Sequence, residues 1–170
     1  MSELNRLSAE EFKEAPKNPI AVVLDNVRSV LNVGSVFRTS DAFRIEELHL
    51  CGLTATPPQR EMNKTALGAT DAVTWSYYES TTDSLKDLKN KGFTLIAIEQ
   101  TTEAVSLETF DFGKHQKVAL IFGNEVKGVA SEALELCDYA IEIPQFGTKH
   151  SFNISVSAGI ALWQAVQRFL

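Results

Sequence analysis

Three short polar clusters hold the residues of this chain best suited to chemistry, and each follows an apolar run. The first is Asn32-Val33-Gly34-Ser35-Val36-Phe37-Arg38-Thr39. Arg38 is a permanent cation with a planar fork that matches phosphate, Asn32 can cap a helix, and Gly34 gives close backbone approach. By spacing alone, a solvated surface arginine explains Arg38 as well. The second cluster, Phe122-Gly123-Asn124-Glu125-Val126-Lys127-Gly128, follows an apolar strand directly. Its two glycines around a turn could cradle a ligand with backbone groups, although the spacing matches neither the phosphate loop nor the dinucleotide fingerprint. The third spans residues 143–157. Pro144 withholds an N–H and ends a strand, and Gly147 permits a conformation closed to other residues. Ser151 and Asn153 sit at a loop-to-helix junction, where α/β proteins meet ligands or where one of the two simply caps the helix.

The elements that must position these clusters alternate along the chain. Residues 8–13 read as a short helix, with Ser8 and Glu11 spaced as a capping box. Pro16 and Pro19 then precede an apolar strand over 20–25 of the kind buried on both faces of a parallel sheet. Further strands are expected over 47–51, 72–78, 93–98, 117–122 and 139–143, and helices over 34–43, 83–90, 131–136 and 153–170. Residues 54–70, with Pro57-Pro58 inside them, read as a long polar excursion. Strand alternating with helix gives an α/β fold, an open parallel sheet with helices on both faces. With no internal repeat, low-complexity tract or linker, residues 1–170 are expected to be one domain, the first 18 a short extension. The last helix has apolar residues at Val156, Ile160, Trp163, Val166 and Leu170, and others at Leu162 and Phe169 on a second side. That pattern fits either a fully buried helix or one shared with a subunit interface.

Composition removes several classes of function. At 170 residues and net charge −6 the chain can bury a sizeable core but is not a generally basic nucleic-acid binder, so any nucleic-acid contact must come from a local patch. Cys51 and Cys137 lack metal-ligand spacing and read as small core residues, and no metal is expected. No run approaches the ~20 apolar residues of a membrane span, and residues 1–6 lack the regions of a signal peptide, so a cytoplasmic protein is expected.

Taken together and in order, the three clusters resemble the SpoU/TrmH family of S-adenosylmethionine-dependent RNA ribose 2′-O-methyltransferases, in the SPOUT superfamily. That family's first motif, Asn, Gly and a downstream Arg-Thr, is met by Asn32, Gly34, Arg38 and Thr39. Its second, Gly-x-Glu-x-x-Gly after an apolar strand, is met by Gly123, Glu125 and Gly128. Its third is met by Ile143, Pro144, Gly147, Ser151, Asn153 and Ser155, with Phe152 and Ile154 as apolar replacements for Leu and Val. The resemblance covers roughly residues 20–170.

The resemblance implies a deep trefoil knot in the C-terminal part, an exception to the rule that chains do not thread loops. It implies S-adenosyl-L-methionine bound in that knot, with Gly123, Ile143 and Phe152 lining the adenosine site and Ile98 and Glu99 nearby, and a homodimer formed through the knot and the last helix. It places catalysis on Arg38, with Asn32 orienting Arg38 or the ribose, Glu125 ordering the active-site loop, and Ser151 and Asn153 holding substrate and cofactor. Because a guanidinium pKa exceeds ~12, phosphate binding and alkoxide stabilisation by Arg38 are preferred to its acting as a base. Arg28, Lys127, Lys149 and His150 form the expected RNA patch. Arg60 and Lys64 are further candidates for which a solvated loop is an equal explanation. The expected substrate is RNA, tRNA before rRNA, with residues 93–102 resembling the subgroup that methylates a D-loop guanosine. A catalytically silent binding module on the same scaffold is the alternative. A Rossmann-type enzyme fails on the missing glycine fingerprint.

Overall fold

The computed structural model describes residues 7–170. Residues 1–6, read above for signal-peptide character, lie outside them. Uninterrupted aliphatic runs need water excluded from both faces, and a central parallel sheet provides this. Strands β1 (Asn18–Asp25), β2 (Ile45–Cys51), β3 (Trp75–Tyr78), β4 (Thr94–Ile98), β5 (Val105–Ser106), β6 (Val118–Phe122) and β7 (Tyr139–Glu142) form one seven-stranded sheet in the order β3-β2-β1-β6-β4-β7-β5. Every pairing is parallel. In register, Val22 lies between Leu48 of β2 and Leu120 of β6.

Side-chain alternation divides the core into two layers. Ile20, Val22 and Leu24 pack with Val33 and Phe37 of α2 (Val30–Ala42) and with Ala158 and Leu162 of α7 (Ile154–Val166). Ala21 and Val23 face the other way, onto Leu85 and Leu88 of α5 (Thr81–Asn90) and Ala133 of α6 (Ser131–Leu134). Each such buried Val, Leu or Phe contributes about 1.5–3 kcal/mol, against about 0.5–1.5 kcal/mol for a typical hydrogen bond. The aliphatic layers therefore hold the frame, and polar contacts at its rim set geometry upon it. At the N-terminus, α1 (Ala9–Glu14) has the expected capping box, with Glu11 N donating to Ser8 Oγ at 3.2 Å and Ser8 N to Glu11 Oε2 at 2.7 Å.

Several elements depart from the sequence reading. Helix α2 begins at Val30, not Gly34, and its cap is Ser29, whose Oγ accepts from Asn32 N at 3.3 Å. Asn32 thus lies in the first turn with its amide free for other partners. The polar stretch 54–70 is not a loop, because it folds into α3 (Arg60–Ala66) and the start of α4 (Ala69–Ala72), burying Met62, Ala66, Ala69 and Ala72 against the α2 layer. Gly34 does give close approach, but to a helix: a Cβ there would fall 2.2 Å from Thr65 Oγ1 and 2.4 Å from Met62 O. Helix α4 also claims Ala72, so β3 starts only at Trp75. Gly147 is not among the glycines with positive φ, so its freedom is not used for that purpose.

The last helix is capped by Asn153 and gives way to a 3-10 turn at Gln167–Phe169. Its buried face is Ala158, Ala161, Leu162, Ala165 and Val166. Val166, grouped by sequence with Val156 and Trp163, belongs to this buried face, whereas those two are 48% and 49% exposed. Trp163 rests against Phe43, with ring centroids 6.2 Å apart. The helix is therefore not buried all round. Among the described residues no helix is long and apolar enough to cross a membrane.

Candidate active site

Because all strands run the same way, their C-terminal ends open on one edge, and there β4, β6 and β7 border a cleft of about 590 Å³. Ile98 and Glu99 come from the end of β4, Phe122 and Gly123 from β6, and Glu142 and Ile143 from β7. The loop before α7 closes another side with His150, Ser151, Phe152 and Asn153. The volume suits a nucleoside-sized ligand.

One wall is backbone by necessity. A Cβ on Gly123 would fall 2.0 Å from Gly128 C and 2.1 Å from Val129 N, so the loop after β6 folds back onto the strand end with no room for a side chain. Gly128, at φ +71°, closes that fold and exchanges backbone bonds with Asn124 at 2.9 and 3.0 Å. Glu99 braces it from beneath, its Oε2 accepting from Val129 N at 2.9 Å.

The three polar clusters meet through one carboxylate and one amide, Glu125 and Asn32. Glu125 Oε2 accepts from Arg28 N at 3.0 Å, and its Oε1 accepts from Ser29 N at 2.9 Å and from Asn32 Nδ2 at 3.2 Å. An anion at the start of α2 also meets the positive end of the helix dipole. Desolvation pushes the Glu125 carboxyl up, but the Arg28 and Ser29 backbone donors and Asn32 outweigh it and hold the carboxyl below its ordinary value. Asn32 Oδ1 in turn accepts from Asn153 Nδ2 at 3.2 Å, while Asn153 Oδ1 accepts from Ser155 N at 2.9 Å and caps α7. The chain Glu125–Asn32–Asn153 fixes the starts of two helices and the tip of one loop relative to each other.

The SpoU rRNA methylase family model matches residues 19–163. The chain belongs to that family. It is 32% identical over 169 residues to the tRNA (guanosine(18)-2′-O)-methyltransferase of Thermus thermophilus, covering 99% of this chain and 85% of the relative. In structure it matches an AdoMet-bound rRNA methyltransferase from Sinorhizobium meliloti with TM-score 0.84 and 27% identity, over 94% of this chain and 60% of that one. The TrmH/SpoU tRNA modifying enzyme of A. aeolicus matches with TM-score 0.82 and 27% identity, over 94% and 81%. The parallel α/β architecture is thus that of the SpoU/TrmH structures.

The SpoU motif residues are unequally placed. Ile98, Glu99, Gly123, Ile143 and Phe152, expected at the cofactor, all line the cleft, as do Glu125, Lys127, His150, Ser151 and Asn153. Asn32 joins them by hydrogen bonds, and its amide engages Glu125 and Asn153 rather than Arg38. Arg38 does not line the cleft. It stands exposed on α2, six residues beyond Asn32 and so about 9 Å along the helix axis. Among the described residues no hydrogen bond or ion pair engages its guanidinium. Arg28 and Lys149 are exposed and outside the lining. Arg60 is exposed on α3, Lys64 pairs with Glu61 at 2.7 Å on the same helix, and none of the three lines the cleft.

Sequence reasoning missed Asn124 and Asn26, which organise the site without entering the motif set. Asn124 Oδ1 accepts from Val126 N at 2.9 Å and Lys127 N at 3.1 Å, and its Nδ2 donates to Asn26 O at 2.8 Å. Asn26, at φ +55°, accepts from Leu53 N at 3.0 Å through its side chain. An Asn directly after a strand was the available signal, since Asn tolerates left-handed backbone and bonds its own neighbours.

A second polar network lies at the β2–α5 side and was also not foreseen. Ser84 Oγ is 2.7 Å from His49 Nδ1, and His49 Nε2 is 2.9 Å from Glu47 Oε2, the order of a hydrolytic triad. His49 and Ser84 are both fully buried, and Tyr78 stacks on the imidazole at 4.6 Å. No substrate can reach them. Among the described residues no three His, Cys, Asp or Glu side chains gather to hold a metal ion.

Proposed function

We propose that the chain transfers a methyl group from S-adenosyl-L-methionine to a ribose 2′-hydroxyl of RNA, tRNA in the first instance and a D-loop guanosine within it. The observation that carries this reading is the Glu125–Asn32–Asn153 chain standing beside a cleft walled by glycine backbone. The cleft fits the cofactor on its own terms. Ile98, Ile143 and Phe152 offer apolar faces for an adenine, the Gly123 wall allows backbone contact, and Glu99 and Glu142 complement a cationic ligand. When bound, the cofactor supplies an electrophilic methyl group.

The protein's part is placement and charge. In-line attack by the 2′-oxygen depends on holding the ribose in position, which is the role assigned to Ser151 and Asn153. Asn32 and Glu125 keep those groups in register. Arg38 grips the target phosphate and stabilises the alkoxide as it forms, and the hydroxyl proton passes to that phosphate or to water. Lys127, Lys149 and Arg28 form the surrounding cationic rim, with His150 beside Lys149. The chain acts in the cytoplasm as one methyltransferase domain and as a homodimer, the exposed Val156 and Trp163 of α7 meeting a second copy. The knot expected of the fold would be formed where the loops after β6 and β7 and helix α7 meet.

The test is transfer from radiolabelled S-adenosylmethionine to total tRNA and, separately, rRNA from cells lacking the protein. Label in a 2′-O-methylated tRNA nucleoside, absent with Arg38→Ala, is the expected result. Label confined to rRNA moves the substrate. Cofactor binding without label in either sinks the enzymatic reading and leaves the silent module.

A further inference from the structure

The most exposed large apolar side chains among the described residues are Phe146 at 97%, Leu170 at 86% and Val126 at 82%. Leu170 is the terminal residue. The other two stand on the two loops that border the same cleft, Val126 within its lining and Phe146 next to the lining residue Gln145. At the neighbouring Gly147 a Cβ would meet nothing within 4 Å, so this part of the loop stands clear of the rest of the protein. A phenyl ring left this open contributes nothing to the fold. It presents an uncommitted flat π face.

The charge around it identifies the complement. The chain carries net charge −6, yet the loop residues 143–153 contain Lys149 and no Asp or Glu, while Glu99, Glu125 and Glu142 line the cleft itself. Lys149 and His150 follow Phe146 on its loop, and Lys127 follows Val126 on the other. An exposed aromatic ring flanked by cations is how proteins hold unstacked bases of nucleic acids. We propose that Phe146 is a stacking platform for an RNA base adjacent to the methylated nucleotide, with Lys149 and His150 on its phosphates. This rests on the RNA methyltransferase reading and adds to it a residue that selects an unpaired base.

The test uses the full chain, a fluorescently labelled tRNA transcript and a single-stranded oligonucleotide, comparing Phe146→Ala, Phe146→Leu and Phe146→Tyr. Phe146→Ala is expected to weaken RNA binding about tenfold, with Leu nearly as poor because it is apolar without a π face, and Tyr close to wild type. The slope of log Kd against log salt should stay unchanged for Phe146→Ala and fall by about 1 for Lys149→Ala. Affinity for S-adenosylmethionine, kcat at saturating RNA and molar mass by light scattering should not change. Unchanged RNA affinity in Phe146→Ala overturns the proposal. So does loss of cofactor affinity, which would make Phe146 a cover for the cofactor, or loss of the dimer, which would make it an interface residue. If the wild type methylates no RNA yet Phe146→Ala still weakens binding, the stacking role stands and the methyl-transfer reading falls.

Discussion

Two polar networks in this molecule use the same residue types to opposite ends. At the β2–α5 side, Glu47, His49, Ser84, Tyr78, Asp87 and Lys91 satisfy one another. His49 holds the Glu47 carboxyl below its usual value against desolvation, with Lys91 assisting at 2.9 Å. Desolvation followed by the Asp87 hydrogen bond pushes the Tyr78 hydroxyl up to about 12. At the C-terminal edge of the sheet, Glu125, Asn32 and Asn153 bond mainly to backbone and to each other, and Ser151, Phe152 and Lys127 are left facing a cleft. The first network is closed and the second is open. A serine, histidine and carboxylate in sequence are no sign of chemistry when solvent cannot enter. A carboxylate and two amides that border an open cleft can be.

Substitutions should separate the two networks, and the largest effect is expected at Arg38. Arg38→Ala should lower kcat/KM for RNA by about 10³-fold, the scale of removing a donor to developing charge, with cofactor affinity by calorimetry within about twofold. Glu125→Ala should cost about 100-fold in kcat, since it releases the start of α2 and the Asn32 amide that links it to Asn153. The sign of its pH dependence follows from its lowered pKa. Its contribution to stability is fully present above the ordinary carboxylate value of about 4.3 and is lost as pH falls through the lower folded value. Glu125→Gln should therefore flatten part of the acid limb of stability against pH, measured by urea denaturation.

Gly123→Ala ranks next. Its methyl cannot fit 2.0 Å from the Gly128 backbone, and an overpacking cost of about 1–3 kcal/mol should appear as about 10–100-fold weaker cofactor binding. His49→Ala should break the comparison in the other direction. It strands buried partners, so stability should fall by about 1–3 kcal/mol in urea titrations while kcat stays at the wild-type level. A loss of kcat without loss of stability would make the closed network functional after all. The smallest effect is expected at the thiols. Desolvation raises Cys51 to about 11 and Cys137 to about 12, so native protein at pH 8 should resist alkylation that proceeds freely in urea.

Most of the frame was legible in the chain. Residues such as Val22 and Leu120 sit in continuous aliphatic runs that only a sheet covered on both faces can bury, and the cleft forms where those runs end. Ser8 and Glu11 announced their cap by spacing. What stayed hidden depended on distant partners. Met62 and Ala66 are too few to mark an apolar stripe, so α3 was invisible without the α2 surface that receives it. Asn32 looked like a cap because asparagine is a favoured cap residue, but Ser29 takes that place three residues earlier. That Glu125, almost a hundred positions away, would claim the Asn32 amide has no local signature. The two-residue strand β5 exists only because β7 offers it an edge.

Asn153 has a consequence for how the protein can be watched. The same side chain ends the α7 backbone ladder and completes the link to Asn32, so the opening turn of that helix cannot loosen without the link loosening too. The amide hydrogen of Ser155, bonded to Asn153 Oδ1, is thus a built-in reporter. Its exchange with deuterated solvent should slow when cofactor or RNA orders the cleft, and quicken in Asn32→Ala, giving a readout of occupancy from one backbone position without any added label.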